Sequence, residues 1–152
     1  MDSERYLEDL HVGDRFESTE TFRVTENDIV EFARAFDPQP FHLDARTARE
    51  SIFAGLAASG WHTGAMSMRL FVTSPLNLAG GAVGLGVDEL RWPRPVRPGD
   101  LLRLETEIME VRTSRSKPDR GVIRIRNLTR NQKDETVQTF TASVLVLRRP
   151  AA

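Results

Sequence analysis

Two stretches of the chain hold residues whose types and spacing could do chemistry. The first is Phe36-Asp37-Pro38-Gln39-Pro40-Phe41-His42. It sets a carboxylate and an imidazole five residues apart on a loop stiffened by two prolines. The second is Ala57-Ala58-Ser59-Gly60-Trp61-His62-Thr63-Gly64, a small-residue run that opens an apolar segment. An Asp–His pair can share proton transfer, because the carboxylate accepts and the imidazole accepts or donates near neutral pH. A backbone N–H near Gly60, if it starts a helix, has no partner within that helix and lies at the positive end of the dipole. Such a donor suits an oxygen that gains negative charge. Together these groups would do acid–base chemistry beside a polarised carbonyl.

Each residue also has a plainer reading on its own. Asp-Pro is a common turn at a helix end. A lone histidine is more often packed or solvated than catalytic, and Gly60 alone reads equally as a turn or packing glycine. What favours chemistry is the pair on one proline-locked loop followed by the Gly60 segment. Histidines 11, 42 and 62 are too scattered for a metal site, and no His-x-x-x-His pair occurs. His62 reads as a first-turn histidine that bonds locally. The glycines from 80 to 86 lack the Lys-Ser/Thr of a phosphate loop and the strand-to-helix setting of a dinucleotide site, so they read as a flexible turn. Arg91, Arg94 and Arg97 could meet phosphates, but they fit solvent or a subunit contact equally well.

The elements that must position these residues follow from periodicity and punctuation. Residues 15–24 suit a half-exposed strand. Thr25 is a plausible N-cap for a helix over 26–35, with Ile29, Val30, Phe32, Ala33 and Phe36 on one face. Asp37-Pro38 ends it. Asp44 can cap a short helix at about 45–51. From Gly60 to Ser74 there is little polar face apart from Arg69, which predicts a helix buried on most sides. The second half is strand-like, at 83–92, 101–112, 121–128 and 136–147, with a proline-rich bend at Trp92–Asp100. Short polar turns between these strands favour an antiparallel sheet. The expected fold is α+β, an antiparallel sheet wrapped around one long apolar helix. That is the layout of the hotdog fold, one of several candidates on pattern alone.

At 152 residues one domain is expected, with residues 148–152 as a frayed tail. Lys and Arg number 21 and Asp and Glu 22, so no whole-chain basic field exists to hold nucleic acid or an anionic membrane. There is no cysteine, which excludes disulfides, thiolate metal sites and a Cys nucleophile. The acidic N-terminus lacks a signal-peptide layout, and no apolar run approaches the roughly 18 residues of a membrane span. A soluble, cytoplasmic protein is the simplest expectation.

Asp37-Pro38-Gln39-Pro40-Phe41-His42 resembles the Asp-x-Asn-Pro-x-His motif of the MaoC-like dehydratases and (R)-specific enoyl-CoA hydratases, with Gln39 in place of the Asn. The likeness extends to Val12-Gly13-Asp14, the helix before Asp37, the segment through Gly60, and Arg94-Pro95-Val96-Arg97-Pro98-Gly99-Asp100. Where the family often has His-Gly-Met, this chain has Ser59-Gly60-Trp61-His62. The resemblance implies a hotdog domain and a homodimer or dimer of dimers. It implies reversible hydration of a trans-2-enoyl-CoA to a (3R)-3-hydroxyacyl-CoA. Asp37 and His42 would hold and activate the water. Gly60 would supply the oxyanion amide, and Ser59 and Trp61 would line the substrate site. No metal and no cofactor beyond the coenzyme A of the substrate is expected. Thioester hydrolysis and non-catalytic binding of an acyl thioester are the alternatives.

Overall fold

The computed structural model describes residues 3–151. Helix α1 (Glu26–Phe36) starts where its cap predicts: Thr25 is extended and its hydroxyl accepts the Asp28 N–H at 3.1 Å. The helix buries only Ile29 and Ala33, and Phe36 is 75% exposed rather than on the core face. The stretch expected to be a stiff loop holds one more helical turn, α2 (Pro40–Leu43), opened by Pro40 at its first position. Helix α3 (Ala45–Arg49) is capped as expected, with the Asp44 carboxylate accepting from the N–H groups of Arg46 and Thr47.

Helix α4 (Gly60–Val72) begins at Gly60, with Ser59 as its N-cap residue. It buries Met66, Leu70 and Phe71, together with His62, Thr63 and Ser67. The expectation that it is buried on most sides does not hold within one chain. Trp61, Met68 and Val72 point outward and are more than half exposed. The sheet covers one side of the helix, and the residue pattern is apolar on the other side as well. Arg69 reaches solvent and lies 3.7 Å from Glu20.

The sheet is wholly antiparallel. Its strands are β1 (Arg15–Glu17), β2 (Phe22–Arg23), β3 (Val83–Arg91), β4 (Leu101–Thr113), β5 (Arg120–Arg130) and β6 (Thr136–Leu147). The order is β1-β4-β5-β6-β3, and β2 also pairs with β4. The single strand expected over 15–24 is thus two short ones. Between them the Ser18 hydroxyl accepts from the Leu104 N–H, and the chain bends before pairing again at Phe22. Strand β5 alternates cleanly: Ile123, Ile125, Asn127 and Thr129 face α4, and the intervening residues are more exposed. Its two inward polar residues are satisfied, Thr129 by the Ser67 hydroxyl at 2.7 Å and Asn127 by Thr106 at 2.6 Å.

The aliphatic core lies between this face and α4, with Leu102, Leu104, Ile108, Val137 and Leu70 almost fully buried. The outward face carries a charge ladder, including Arg126–Glu107 and Arg130–Glu105. The expected frayed tail is tied down as far as Arg149. Its N–H and the Arg148 guanidinium both bond Glu8, and its own guanidinium lies 5.2 Å from the centre of the Tyr6 ring. Among the described residues no helix is long and apolar enough to cross a membrane.

Candidate active site

Asp37 stands at the C-cap of α1, where its N–H donates to Ala33 O at 2.8 Å and the chain leaves the helix before Pro38. The Gln39 side-chain amide donates to Asp37 Oδ1 at 2.5 Å. Gln39 therefore does bind the carboxylate across the loop. Pro40 then starts α2, and one turn of helix carries His42 back toward Asp37, with Nε2 3.4 Å from Asp37 Oδ2. His42 is 5% exposed, and its Nδ1 lies 2.6 Å from the Ala57 carbonyl. A carbonyl can only accept, so Nδ1 carries the proton and donates it there. In the neutral ring this leaves Nε2 with a lone pair facing Asp37. The Ala57 N–H donates in turn to Phe41 O at 3.2 Å, and the Ala58 N–H to Val96 O at 2.9 Å. These bonds lace α2, the approach to α4 and the proline-rich bend together.

Burial alone would raise the Asp37 pKa. The Ser59 hydroxyl, the Gln39 amide and the positive charge that His42 carries when protonated outweigh it and hold the carboxyl below its ordinary value. Ser59 is fully buried, and its Oγ meets no partner at hydrogen-bond geometry, although it is close enough to Asp37 to exert this pull. Asp37 is accordingly ionised at neutral pH. The first-turn N–H of Gly60 has no acceptor within α4, and no side chain caps that end.

A cavity of about 380 Å³ opens beside these groups. It is lined by His42, Gln39, Gly60, Phe41, Phe53 and Trp92, among others. Asp37, His42, Ser59 and Gly60 are thus gathered at one end of the fold, but only His42 and Gly60 line the cavity; Asp37 and Ser59 stand behind the wall, and Trp61 is not part of it. It is 65% exposed and stands edge-on to Trp92, with ring centres 5.4 Å apart. The aromatic wall comes instead from Trp92 and Phe53, which sequence reading missed. Trp92 also constrains Gly60: a Cβ there would lie 2.6 Å from the indole. Replacing Gly60 with proline would therefore disturb packing as well as remove the N–H.

A second hollow, of about 340 Å³, lies near the other end of α4 against Gly80 and Gly81. Among the described residues its only ionisable lining residue is Glu4, which by itself makes no acid–base pair. The glycines there form the turn into β3. Arg97 has a structural role, donating to the carbonyls of Leu56 and Phe53, and Arg94 pairs with Glu135 at 2.9 Å.

With this geometry in place, comparison with known proteins assigns the class. A family model described as "MaoC like domain" matches residues 9–130. The chain belongs to the MaoC-like dehydratase family, and its domain is a hotdog. The crystal structure of the MaoC-like dehydratase from Rhodospirillum rubrum is 54% identical, covers 97% of this chain and 99% of its own, and superposes with a TM-score of 0.92. The unliganded (R)-hydratase PhaJ1 from Pseudomonas aeruginosa is 29% identical over 95% of this chain and 86% of its own, with a TM-score of 0.75. Mesaconyl-CoA hydratase of Cereibacter sphaeroides is 37% identical over 68 residues, which is 45% of this chain and 20% of that protein.

His62 does not bond locally as expected. Its ring is buried and stacks on Phe32, with centroids 4.6 Å apart and planes 5° from parallel, and its Nδ1 has no hydrogen-bond partner. Burial lowers its pKa, and the Asp28 carboxylate opposes this only in part. The folded histidine therefore resists protonation, whereas the unfolded one takes up a proton near pH 6.5. The unfolded state binds more protons as pH falls through that value, so stability should drop there. His62→Phe retains a ring against Phe32 and removes the titration. Urea melts at about pH 7.5 and 5.5 should show a smaller acid loss in the variant than in the wild type. An equal loss in both would place the titration elsewhere.

Proposed function

We propose that the protein is a hydro-lyase that reversibly adds water to a trans-2-enoyl-CoA, giving a (3R)-3-hydroxyacyl-CoA. One observation carries this reading: Asp37 Oδ2 and His42 Nε2 stand 3.4 Å apart, with the other imidazole nitrogen already bound to Ala57. Two acceptors at that spacing can each take a hydrogen from one water and leave its oxygen lone pairs free to attack. The water oxygen bonds C3 while the pair takes up one of its protons, and the pair returns that proton to C2 as the enolate collapses, which restores the pair. The charge that develops on the thioester oxygen is met by the Gly60 N–H at the start of α4. Gln39 holds the carboxylate in place, and Ser59 and Gln39 both favour its ionised form. The (3R) outcome and the CoA thiol follow the likeness to the (R)-hydratase and to mesaconyl-CoA hydratase. Coenzyme A enters as part of the substrate.

We also infer a homodimer. Strand β3 ends the sheet and exposes Val83, Leu85 and Val87, each more than half accessible, and α4 exposes Trp61, Met68 and Val72. A nine-residue edge strand with an exposed apolar row at Val83, Leu85 and Val87 is an open template for pairing, and a second copy of the same edge matches it.

Purified protein should consume crotonyl-CoA, read as loss of enoyl absorbance, and should leave butyryl-CoA intact. Release of free CoA from butyryl-CoA would mark a thioesterase. Binding of both without turnover would mark a carrier. Asp37→Asn is nearly isosteric but cannot take a proton. It and His42→Ala should each lower kcat by about 10²–10⁴, and the double variant should be little worse than either single. Near-normal turnover by a folded Asp37→Asn protein would remove Asp37 from the reaction.

Sedimentation should give about twice the 17.2 kDa chain mass. Leu85→Lys should shift it toward the monomer. A fully active wild-type monomer would contradict the dimer.

A further inference from the structure

The part of the cavity wall that touches Gly60 is the Trp92 indole. A Cβ built on Gly60 would lie 2.6 Å from Trp92 Cε2 and 2.7 Å from Cδ2 and Cζ2, so the fused edge of the ring rests on the Gly60 α-carbon. The ring is held from two further sides. Its Nε1–H donates to Gln138 Oε1 at 2.9 Å, and Trp61 meets it edge-on. The backbone also aims it. The pairing of β3 shifts register between Asp88 and Arg91, and Glu89 adopts a left-handed φ of 53°. A bulge of this kind redirects the strand just before Trp92.

The Gln138 bond makes this wall a fixed one. Gln138 lies on β6, is 1% exposed, and its Nε2 is buried without a hydrogen-bond partner. Its Oε1 is thus the one satisfied end of a buried amide. Swinging the indole out would leave that amide wholly unpaired in the interior, which is strongly unfavourable. The ring cannot act as an easily opened gate.

We propose that Trp92, clamped by Gln138, is the specificity-determining residue of this cavity and restricts the acyl group to short 2-enoyl chains. This rests on the hydratase reading above. With the thioester oxygen at the Gly60 amide and C3 beside Asp37 and His42, the first acyl carbons lie against the ring that covers Gly60. The neighbouring wall is also apolar, formed by Phe41, Phe53 and Val96. Added methylenes must find room past a ring that α4 and β6 hold still. Pocket walls of this kind discriminate by about 10–200-fold for each added or missing methylene.

The test compares trans-2-octenoyl-CoA with crotonyl-CoA by kcat/KM, and octanoyl-CoA with butyryl-CoA by calorimetric binding. Wild type should favour the four-carbon member of each pair. Trp92→Leu should raise the octenoyl-to-crotonyl ratio at least tenfold and should tighten octanoyl-CoA binding. Gln138→Leu keeps the ring and removes its clamp. It should move both ratios the same way by less, and should shift one of the indole N–H resonances of the two tryptophans. If Trp92→Leu does not fold, Gln138→Leu and Trp92→Phe carry the comparison. A parallel fall in kcat for both chain lengths, with the ratio unchanged, would mean that Trp92 only supports the helix start, and would overturn the proposal. So would a wild type that takes eight carbons as readily as four. A wild type with no enoyl turnover at all would defeat the hydratase reading, and the two binding ratios would then decide the chain-length proposal alone.

Discussion

The 2.6 Å hydrogen bond from His42 Nδ1 to the Ala57 carbonyl is the interaction on which the site depends. It does three things at once. It chooses the imidazole tautomer, it orients Nε2 toward Asp37, and it ties α2 to the segment that leads into α4. The return bond from the Ala57 N–H to Phe41 O makes the tie two-sided. A histidine on a single helical turn would otherwise have many rotamers. Here it is buried, paired at one nitrogen and flanked by Phe41 and Phe53. Order of this kind is what proton transfer needs, because the geometry is set before the substrate arrives.

The rest of the fold supports that bond. The long strands β4, β5 and β6 make a stiff, apolar floor, and α4 lies on it with its N-terminus beside the Asp37 loop. Two demands explain why α4, whose first turn is Gly60-Trp61-His62-Thr63, opens on a glycine. The helix must approach Trp92 without a Cβ at position 60, and it must leave an N–H exposed to the cavity. Both demands fall on Gly60, where a glycine satisfies them together. The buried hydroxyl of Ser59 adds to the negative bias at Asp37 by stabilising the ionised carboxylate. Polar atoms left unpaired in the interior, on Ser59, His62 and Gln138, all lie on or against this end of α4. Unpaired buried groups are costly and cluster where function constrains the sequence.

Much of this was legible in the sequence because its causes are local. Asp37, Gln39 and His42 lie within six residues, so the prolines between them suffice to predict that the pair shares one short segment, although that segment closes into the helical turn α2 rather than a loop. Thr25 and Asp44 cap the helices that follow them, and Gly60 starts α4, for reasons contained in a few neighbours. The misses share a different cause. Trp92 meets Gly60 and Gln138 across 32 and 46 positions of sequence, and nothing in the residue types at either end announces the contact. His62 stacks on Phe32 from another helix. The Ala57 partner of His42 is a backbone carbonyl, which any residue would supply. Apolar periodicity likewise could not separate the face of α4 that meets the sheet from the face left bare on one chain, because both faces are apolar.

The central claim is that His42 holds its proton on Nδ1 and presents an open Nε2 to a water shared with Asp37. The most direct measurement is the ¹⁵N shift of the ring nitrogens in protein labelled at histidine, near pH 7.5 and without substrate. Only three histidines are present, so His42 can be assigned by comparison with His42→Ala. A pyrrole-type Nδ1 and a pyridine-type Nε2 are expected. A pyrrole-type Nε2, with its hydrogen given to Asp37, would make the pair a closed structural contact with no base facing the cavity, and would contradict it.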